Sequence, residues 1–197
     1  MKEIHFREPA TNISEATLID CFNRWPLLES WGSISLDTLS SLNTVAFTDA
    51  VVAALRKSCP LLKSIDLAEA SITDASIYMM AETYPGLNDV TVPNTITSDA
   101  VKVLVMKCKK LTHLSASTIN DDVLVSVGEN CKDLKSLFVS YCLGHDSRIG
   151  FVVSHCKKFK WIGACAIGNN NNTFNRELLD ALIATNPNIE WKTSFYD

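Results

Sequence analysis

Residues Cys131–Val139 read CKDLKSLFV and contain the spacing from which the fold of this chain is predicted. A cysteine stands three residues before Leu134, and from Leu134 onward the apolar residues follow the spacing Leu-x-x-Leu-x-Val. The alternation at the end of this spacing is typical of a short strand with one buried face. The cysteine is placed where a preceding helix would end, at a corner that takes a small and usually buried side chain.

The same spacing recurs along the chain. We call the apolar residue that opens each predicted strand its anchor, and the anchors are Leu28, Leu62, Leu87, Leu111, Leu134, Phe159 and Ile189. Cysteine stands three residues before four of them, and Trp25, Tyr84 and Asn186 take its place before the others. Most anchors lie about 20–29 residues apart, which indicates a repeat of one strand and one helix. The two longer intervals hold insertions near residues 33–44 and 168–173.

A second pattern recurs between the strands. An apolar residue is followed by threonine or asparagine and by aspartate, as in Phe47–Val51, Ile72–Ser76, Ile96–Ala100 and Ile119–Val123. The polar side chain would cap free N–H groups, and the carboxylate suits the positive end of a helix. The pattern predicts helices of about ten residues that end near the cysteine. With a looser match over 14–24 and a first strand over 2–6, we expect about eight strands and seven helices.

These features resemble the cysteine-containing leucine-rich repeats of the F-box/leucine-rich-repeat proteins. The Cys-x-x-Leu-x-x-Leu-x-Leu core, the Ile-Thr-Asp helix start, and Cys142 in the turn after a strand match that family over about residues 12–193. The resemblance implies an α/β leucine-rich-repeat solenoid, a right-handed superhelix with a curved parallel sheet on its concave side and helices on its convex side. We expect residues 1–197 to form a single such domain of about seven repeats.

Composition excludes several classes of function. The 197 residues are 47% hydrophobic and carry a net charge of −4, so no basic excess predicts a nucleic-acid partner. No apolar run approaches the ~20 residues of a membrane span. The first eight residues carry charges where a signal peptide needs an apolar run, and seven cysteines cannot all pair. We therefore expect a cytoplasmic or nuclear protein that is not secreted and does not contact membranes.

The sequence also holds no recognisable catalytic or metal site. The cysteines at the helix ends occur once per repeat and never as Cys-x-x-Cys, so packing is favoured over zinc binding. The four histidines lack metal-ligand spacing, and neither a nucleophile motif nor a glycine-rich phosphate loop is present. We expect no enzyme activity, no catalytic residues, no metal and no cofactor.

The concave side of the sheet is the predicted binding surface. Residues two, four and six positions after each anchor are predicted to face it, and they are small or acidic in the early repeats but include rigid aromatics in the late ones. Exposed rings beside small residues are typical of binding hot spots. The predicted partner-binding residues are Asp66, Asp89, His113, Phe138, Tyr141 and Trp161. The alternative is that the insertion near 168–173 folds back and covers the rings.

Lysines cluster over 107–110, 132–135 and 157–160, where helices end and strands begin. They either form a basic edge for an acidic partner or reflect the preference of helix ends for cations.

The function predicted from these observations is a non-enzymatic module that binds a protein partner on its concave face. One alternative, implied by the resemblance, is the substrate-recognition component of a ubiquitin ligase, although no F-box precedes the first strand. Another is a structural subunit of a larger complex, in which another chain covers the first strand.

Overall fold

A computed structural model describes residues 2–6, 14–33, 47–142, 146–166 and 176–193. Its strands are β1 (Glu3–Phe6), β2 (Ser30–Ser33), β3 (Ser64–Asp66), β4 (Asp89–Thr91), β5 (His113–Ile119), β6 (Ser136–Cys142), β7 (Trp161–Ala166) and β8 (Glu190–Thr193). The helices that alternate with them are α1 (Glu15–Arg24), α2 (Asp49–Ser58), α3 (Asp74–Thr83), α4 (Ser98–Lys107), α5 (Asp121–Asn130), α6 (Asp146–His155) and α7 (Arg176–Thr185). The described residues thus hold the eight strands and seven helices that the repeats predict.

The strands form one parallel sheet whose spatial order is the order of the chain, β1 to β8. Each strand is joined to the next through a crossover, and crossovers of one hand place their helices on the same side of a sheet. Consecutive helices pack against each other, as do consecutive strands. The predicted α/β class, with a parallel sheet alternating with helices, is confirmed, and the arrangement is consistent with a solenoid-like repeat.

One continuous apolar core lies between the sheet and the helices. In β6, for example, Leu137 and Val139 are buried against it, together with Val123 and Val127 of α5. A single unit of strand and helix has too little apolar surface to be stable alone, and stacking lets neighbouring units share the buried face.

The cysteine corners are buried as predicted. Cys59, Cys108 and Cys131 each follow the last residue of a helix, and Cys156 follows α6 in the same way. Their thiols also point at backbone carbonyls of the preceding unit, which spacing alone does not predict. Cys108 Sγ lies 3.4 Å from the carbonyl oxygen of Tyr84, and Cys156 Sγ lies 3.3 Å from that of Cys131. The thiol is therefore a weak donor between repeats as well as a small packing group.

The helix starts differ in part from the prediction. Asn120 and Thr97 do cap their own helices, accepting from Val123 N at 3.1 Å and Ala100 N at 3.4 Å. Thr48 and Thr73 make no such bond.

Instead, the hydroxyl and N–H of Thr73 both donate to the carboxylate of Asp49, each at 2.9 Å, and the hydroxyl of Thr48 donates to Glu15 at 2.8 Å. Thr97 repeats this arrangement with Asp74. The first-turn carboxylates thus bind the next unit in addition to suiting their own helix.

The last strand is shifted by one residue relative to the predicted repeat. With Ile189 as anchor, Lys192 would fall on an apolar position, but in the structure Ile162 pairs with Trp191 and Gly163 pairs with Lys192. Trp191 packs against the core and Lys192 is exposed. The shift is favourable because it buries an indole rather than an ammonium group.

The insertions near 33–44 and 168–173 fall almost wholly outside the described residues. The alternative that the second insertion covers the Phe138 and Trp161 rings therefore also lies outside them. Among the residues that are described, no helix has the length and apolar character needed to cross a bilayer.

Candidate functional site on the open face of the sheet

One side of the sheet carries no helix packed on it in the described part of the chain. We call this side, over β3–β7, the open face. Its described side chains, none of which belongs to the buried core, are Ser64, Asp66, Asp89, Thr91, His113, Ser115, Ser117, Ser136, Phe138 and Trp161. Most are small, so the larger groups stand out at two ends: acidic on β3 and β4, aromatic on β6 and β7.

The aromatic end is a stacked pair of rings. Phe138 on β6 and Trp161 on β7 have their ring centroids 6.2 Å apart and their planes inclined by 15°. Both side chains are half-buried, although helices cover only the other face of the sheet. The two stacked rings therefore form one partly exposed apolar cluster, which we call the aromatic pair.

Gly163 makes this arrangement possible. It lies opposite Phe138 in the register of β6 and β7. A Cβ at position 163 would come within 2.8 Å of both Phe138 Cδ2 and Trp161 Cζ2, closer than carbon atoms approach without repulsion. The missing side chain lets the indole lie over its own strand and reach the phenyl ring. A glycine inside a strand signals such a close approach, but it does not say which group approaches.

The acidic end joins three of the predicted residues. Asp89 pairs with His113 in the register of β4 and β5, and Asp66 lies on the neighbouring strand β3. Burial raises the pKa of the Asp89 carboxyl; the positive charge of His113 opposes this, while the negative charge of Asp66 adds to it. Asp66 is held by a hydrogen bond from Ala68 N at 3.0 Å. The structure thus places the two carboxylates on neighbouring strands, offset by two residues in register, and burial leaves that of Asp89 poorly hydrated.

The ring of His113 is oriented by its chain neighbour. The Thr112 hydroxyl lies 2.9 Å from the carbonyl oxygen of Asn88, to which it donates, and 2.8 Å from His113 Nδ1. This contact fixes the Nδ1 side of the imidazole and leaves Nε2 without a partner among the described residues.

The predicted site residues therefore form two groups on one face. Asp66, Asp89 and His113 lie together, and Phe138 lies against Trp161. Tyr141 belongs to β6, where its backbone pairs with Thr118 and Ala166, but its side chain lies outside the described part of the structure.

The rim where strands begin is the second charged surface that the sequence predicts. Several of its lysines are engaged by neighbouring repeats: Lys107 pairs with Glu82 at 2.9 Å and Lys158 with Asp133 at 2.7 Å. Lys110, Lys135 and Lys160 are exposed and form no ion pair with any residue that the structure describes. The lysines thus serve partly as links between units.

The same rim is apolar in the early repeats, which sequence reasoning missed. Leu27 and Leu61 are 56% and 46% exposed, and each directly precedes an anchor in one of two neighbouring repeats. The spacing shows that these two leucines occupy equivalent positions. It does not predict whether they are exposed, because the residue before an anchor is apolar in some repeats and polar in others.

Neither a scan of protein-family models nor a search of curated proteins gives a match to this chain. Among the described residues, no three His, Cys, Asp or Glu side chains are grouped so as to hold a metal ion.

Proposed function

We propose that this chain is a leucine-rich-repeat protein without enzyme activity, and that its open face, concave in such repeats, holds a protein partner. The recurring unit of one strand, one ten-residue helix and one buried corner residue supports the repeat type. Cys21, Cys59, Cys108, Cys131 and Cys156 are free thiols, which fits a cytoplasmic or nuclear protein.

The aromatic pair is the observation that carries the proposal. Phe138 and Trp161 already stack on each other in the free chain, in the room that Gly163 leaves, so binding a partner would cost them little conformational entropy. Small neighbours such as Ser115 and Ser136 leave room for an incoming chain. A preorganised aromatic surface bordered by small polar groups is typical of the centre of a protein interface.

Affinity purification from the source cell, with identification by mass spectrometry, tests the proposal. The bait is compared with a Phe138→Ala/Trp161→Ala variant and with Tyr78→Ala, which removes an exposed ring from α3 on the helix side. Partners bound by the open face are retained by the parent chain and by Tyr78→Ala but lost from the double variant. Thermal unfolding of all three chains checks that the loss does not reflect unfolding. Equal retention of every partner by the double variant contradicts the proposal.

A second candidate function is that of a structural subunit in a larger complex, and the outer edge of the first strand supports it. In the described residues β1 pairs only with β2, so its other edge offers N–H and C=O groups to a further strand. Light scattering that shows a monomer, together with unchanged amide exchange of Glu3–Phe6 in cell extract, would remove this candidate. The ubiquitin-ligase alternative rests on the sequence resemblance alone.

A further inference from the structure

We infer that the open face binds an extended segment of its partner in which a lysine or arginine lies about four residues from an aromatic or large aliphatic residue. This inference rests on the proposed function and adds the chemistry of the partner. It follows from the two unlike ends of the face and from the distance between them.

Within the described residues, the acidic end has His113 beside it but no lysine or arginine. In the part of the chain that the structure describes, neither Asp66 nor Asp89 forms an ion pair with a lysine or arginine. The two negative charges lie close enough to affect each other, and Asp89 is half-buried beside small residues. An incoming ammonium or guanidinium group would reduce their repulsion and compensate for their lost hydration.

The aromatic end favours an apolar side chain. The outer surface of the stacked Phe138 and Trp161 rings is apolar and half-exposed, so covering it with a ring or a branched aliphatic group removes apolar area from water.

The strand register sets the spacing. Asp89, His113, Ser136 and Trp161 lie opposite one another across β4 to β7. Three steps between strands amount to about 14 Å, and an extended chain covers about 3.3 Å per residue, so the two contacting residues of a segment that crosses the strands lie about four positions apart. His113 and Ser136, which lie between, offer polar groups to its backbone.

The rim limits the number of positive charges in the segment. Lys135 and Lys160, which precede Ser136 and Trp161, are exposed and unpaired in the described residues. They repel a segment that is basic throughout and tolerate one whose cation is confined to the acidic end.

Selection from a phage-displayed library of random peptides, long enough to cross the sheet, tests this inference on the intact chain. Selected peptides are synthesised with a fluorophore, and their dissociation constants are measured by anisotropy. The comparison variants are Asp66→Asn/Asp89→Asn, Phe138→Ala/Trp161→Ala, and Asp99→Asn/Glu129→Gln, which neutralises two exposed carboxylates on the helices. We expect enrichment of a basic residue three to five positions from an apolar one. We expect binding about tenfold weaker for the Asp66/Asp89 variant and unchanged for the helix variant.

Other outcomes overturn the inference in distinguishable ways. One such outcome is a set of peptides whose binding requires Phe138 and Trp161 but that carry no basic residue. Another is a set that binds the Asp66→Asn/Asp89→Asn variant as tightly as the parent. Either result shows that the inferred partner chemistry is wrong although the open face binds. Peptides that bind the Phe138/Trp161 variant as well as the parent count against both the inference and the proposed face. A library from which the parent enriches nothing beyond what the Phe138/Trp161 variant enriches contradicts the inference alone, since affinity purification judges the face separately.

Discussion

Tyr84 occupies, at the end of α3, the corner position that cysteine takes after α2, α4 and α5. It is among the largest fully buried side chains, and its hydroxyl has no hydrogen-bond partner within the described part of the chain. Burial raises the pKa of this hydroxyl far above its ordinary value. The corner therefore accepts a large residue for its apolar volume, while the hydroxyl itself contributes nothing favourable.

Tyr84→Phe should accordingly leave stability unchanged or raise it by up to about 1 kcal/mol, because an unsatisfied buried hydroxyl loses its hydration on folding and gains no bond in return. Urea unfolding followed by circular dichroism measures the difference. A loss of more than about 1 kcal/mol would mean that the hydroxyl has a partner in solution.

The corner cysteines should be unreactive in the folded chain. Burial raises the pKa of Cys59 and Cys156 to about 11 and that of Cys108 and Cys131 to about 12. Very little thiolate forms at neutral pH, and thiolate is the nucleophile.

Alkylation with iodoacetamide, mapped by mass spectrometry, should therefore modify these four thiols only after denaturation. Cys21, which is half-buried on α1, serves as the internal comparison and should react before these four. Rapid labelling of Cys131 in the native chain would contradict its place in the core.

At the scale of elements, helices are joined through their first turns. Asp49 of α2 accepts hydrogen bonds from the N–H and hydroxyl of Thr73 and from the hydroxyl of Ser76, at 2.9, 2.9 and 2.5 Å. These bonds hold the pKa of Asp49 below its ordinary value, the bond from Ser76 being the largest cause.

Asp49→Ala should destabilise the chain by about 1–2 kcal/mol at neutral pH, a modest figure because the carboxylate is largely solvated. A depressed pKa means that the carboxylate form favours folding. Its contribution is complete above the ordinary pKa near 4 and is lost as pH falls through the lower folded value. The stability difference from the parent, measured by urea unfolding across pH, should therefore shrink on acidification. A difference that stays constant down to about pH 3 would assign the loss to packing instead.

The elements also show how far sequence reasoning reaches. Strand and helix positions were predictable because every unit repeats the same anchor, corner and helix start, and each copy confirms the others. The register of β8 was not predictable, because Ile189 and Trp191 are both apolar enough to be buried. Only the pairing of Trp191 with Ile162 in the folded sheet sets the register. The bonds from Thr73 to Asp49 depend on how two units stack, which no single repeat encodes.

At the scale of the whole molecule, the pattern predicted which side chains would share the open face, but not their arrangement. Alternation within β6 and β7 places Phe138 and Trp161 on one side. Their stacking depends on the space over Gly163, a relation among three residues on two strands. The poor hydration of Asp89 likewise arises only when β3, β4 and β5 lie side by side.

Asp89 links stability to binding. Because burial raises its pKa, the carboxylate form opposes folding. Below the ordinary pKa near 4 the carboxyl is protonated in both states and does not destabilise the protein. The destabilisation develops as pH rises from there through the higher pKa of the folded state.

Asp89→Asn should therefore raise the melting temperature at pH 7, by an amount that vanishes at about pH 3, and should weaken binding of a cationic partner segment. Differential scanning calorimetry at both values tests the first part. A variant that melts below the parent at pH 7 would show that Asp89 is satisfied by groups within the chain.

Whether the open face holds the partner can be decided by a titration with the purified partner. Binding to the parent, to Phe138→Ala/Trp161→Ala and to Tyr78→Ala is measured by calorimetry, with all three chains shown to be folded. We predict a dissociation constant at least about 30-fold higher for the double variant, since each ring is expected to act as a hot spot, and no change for Tyr78→Ala. Equal affinity of the parent and the double variant would contradict the account.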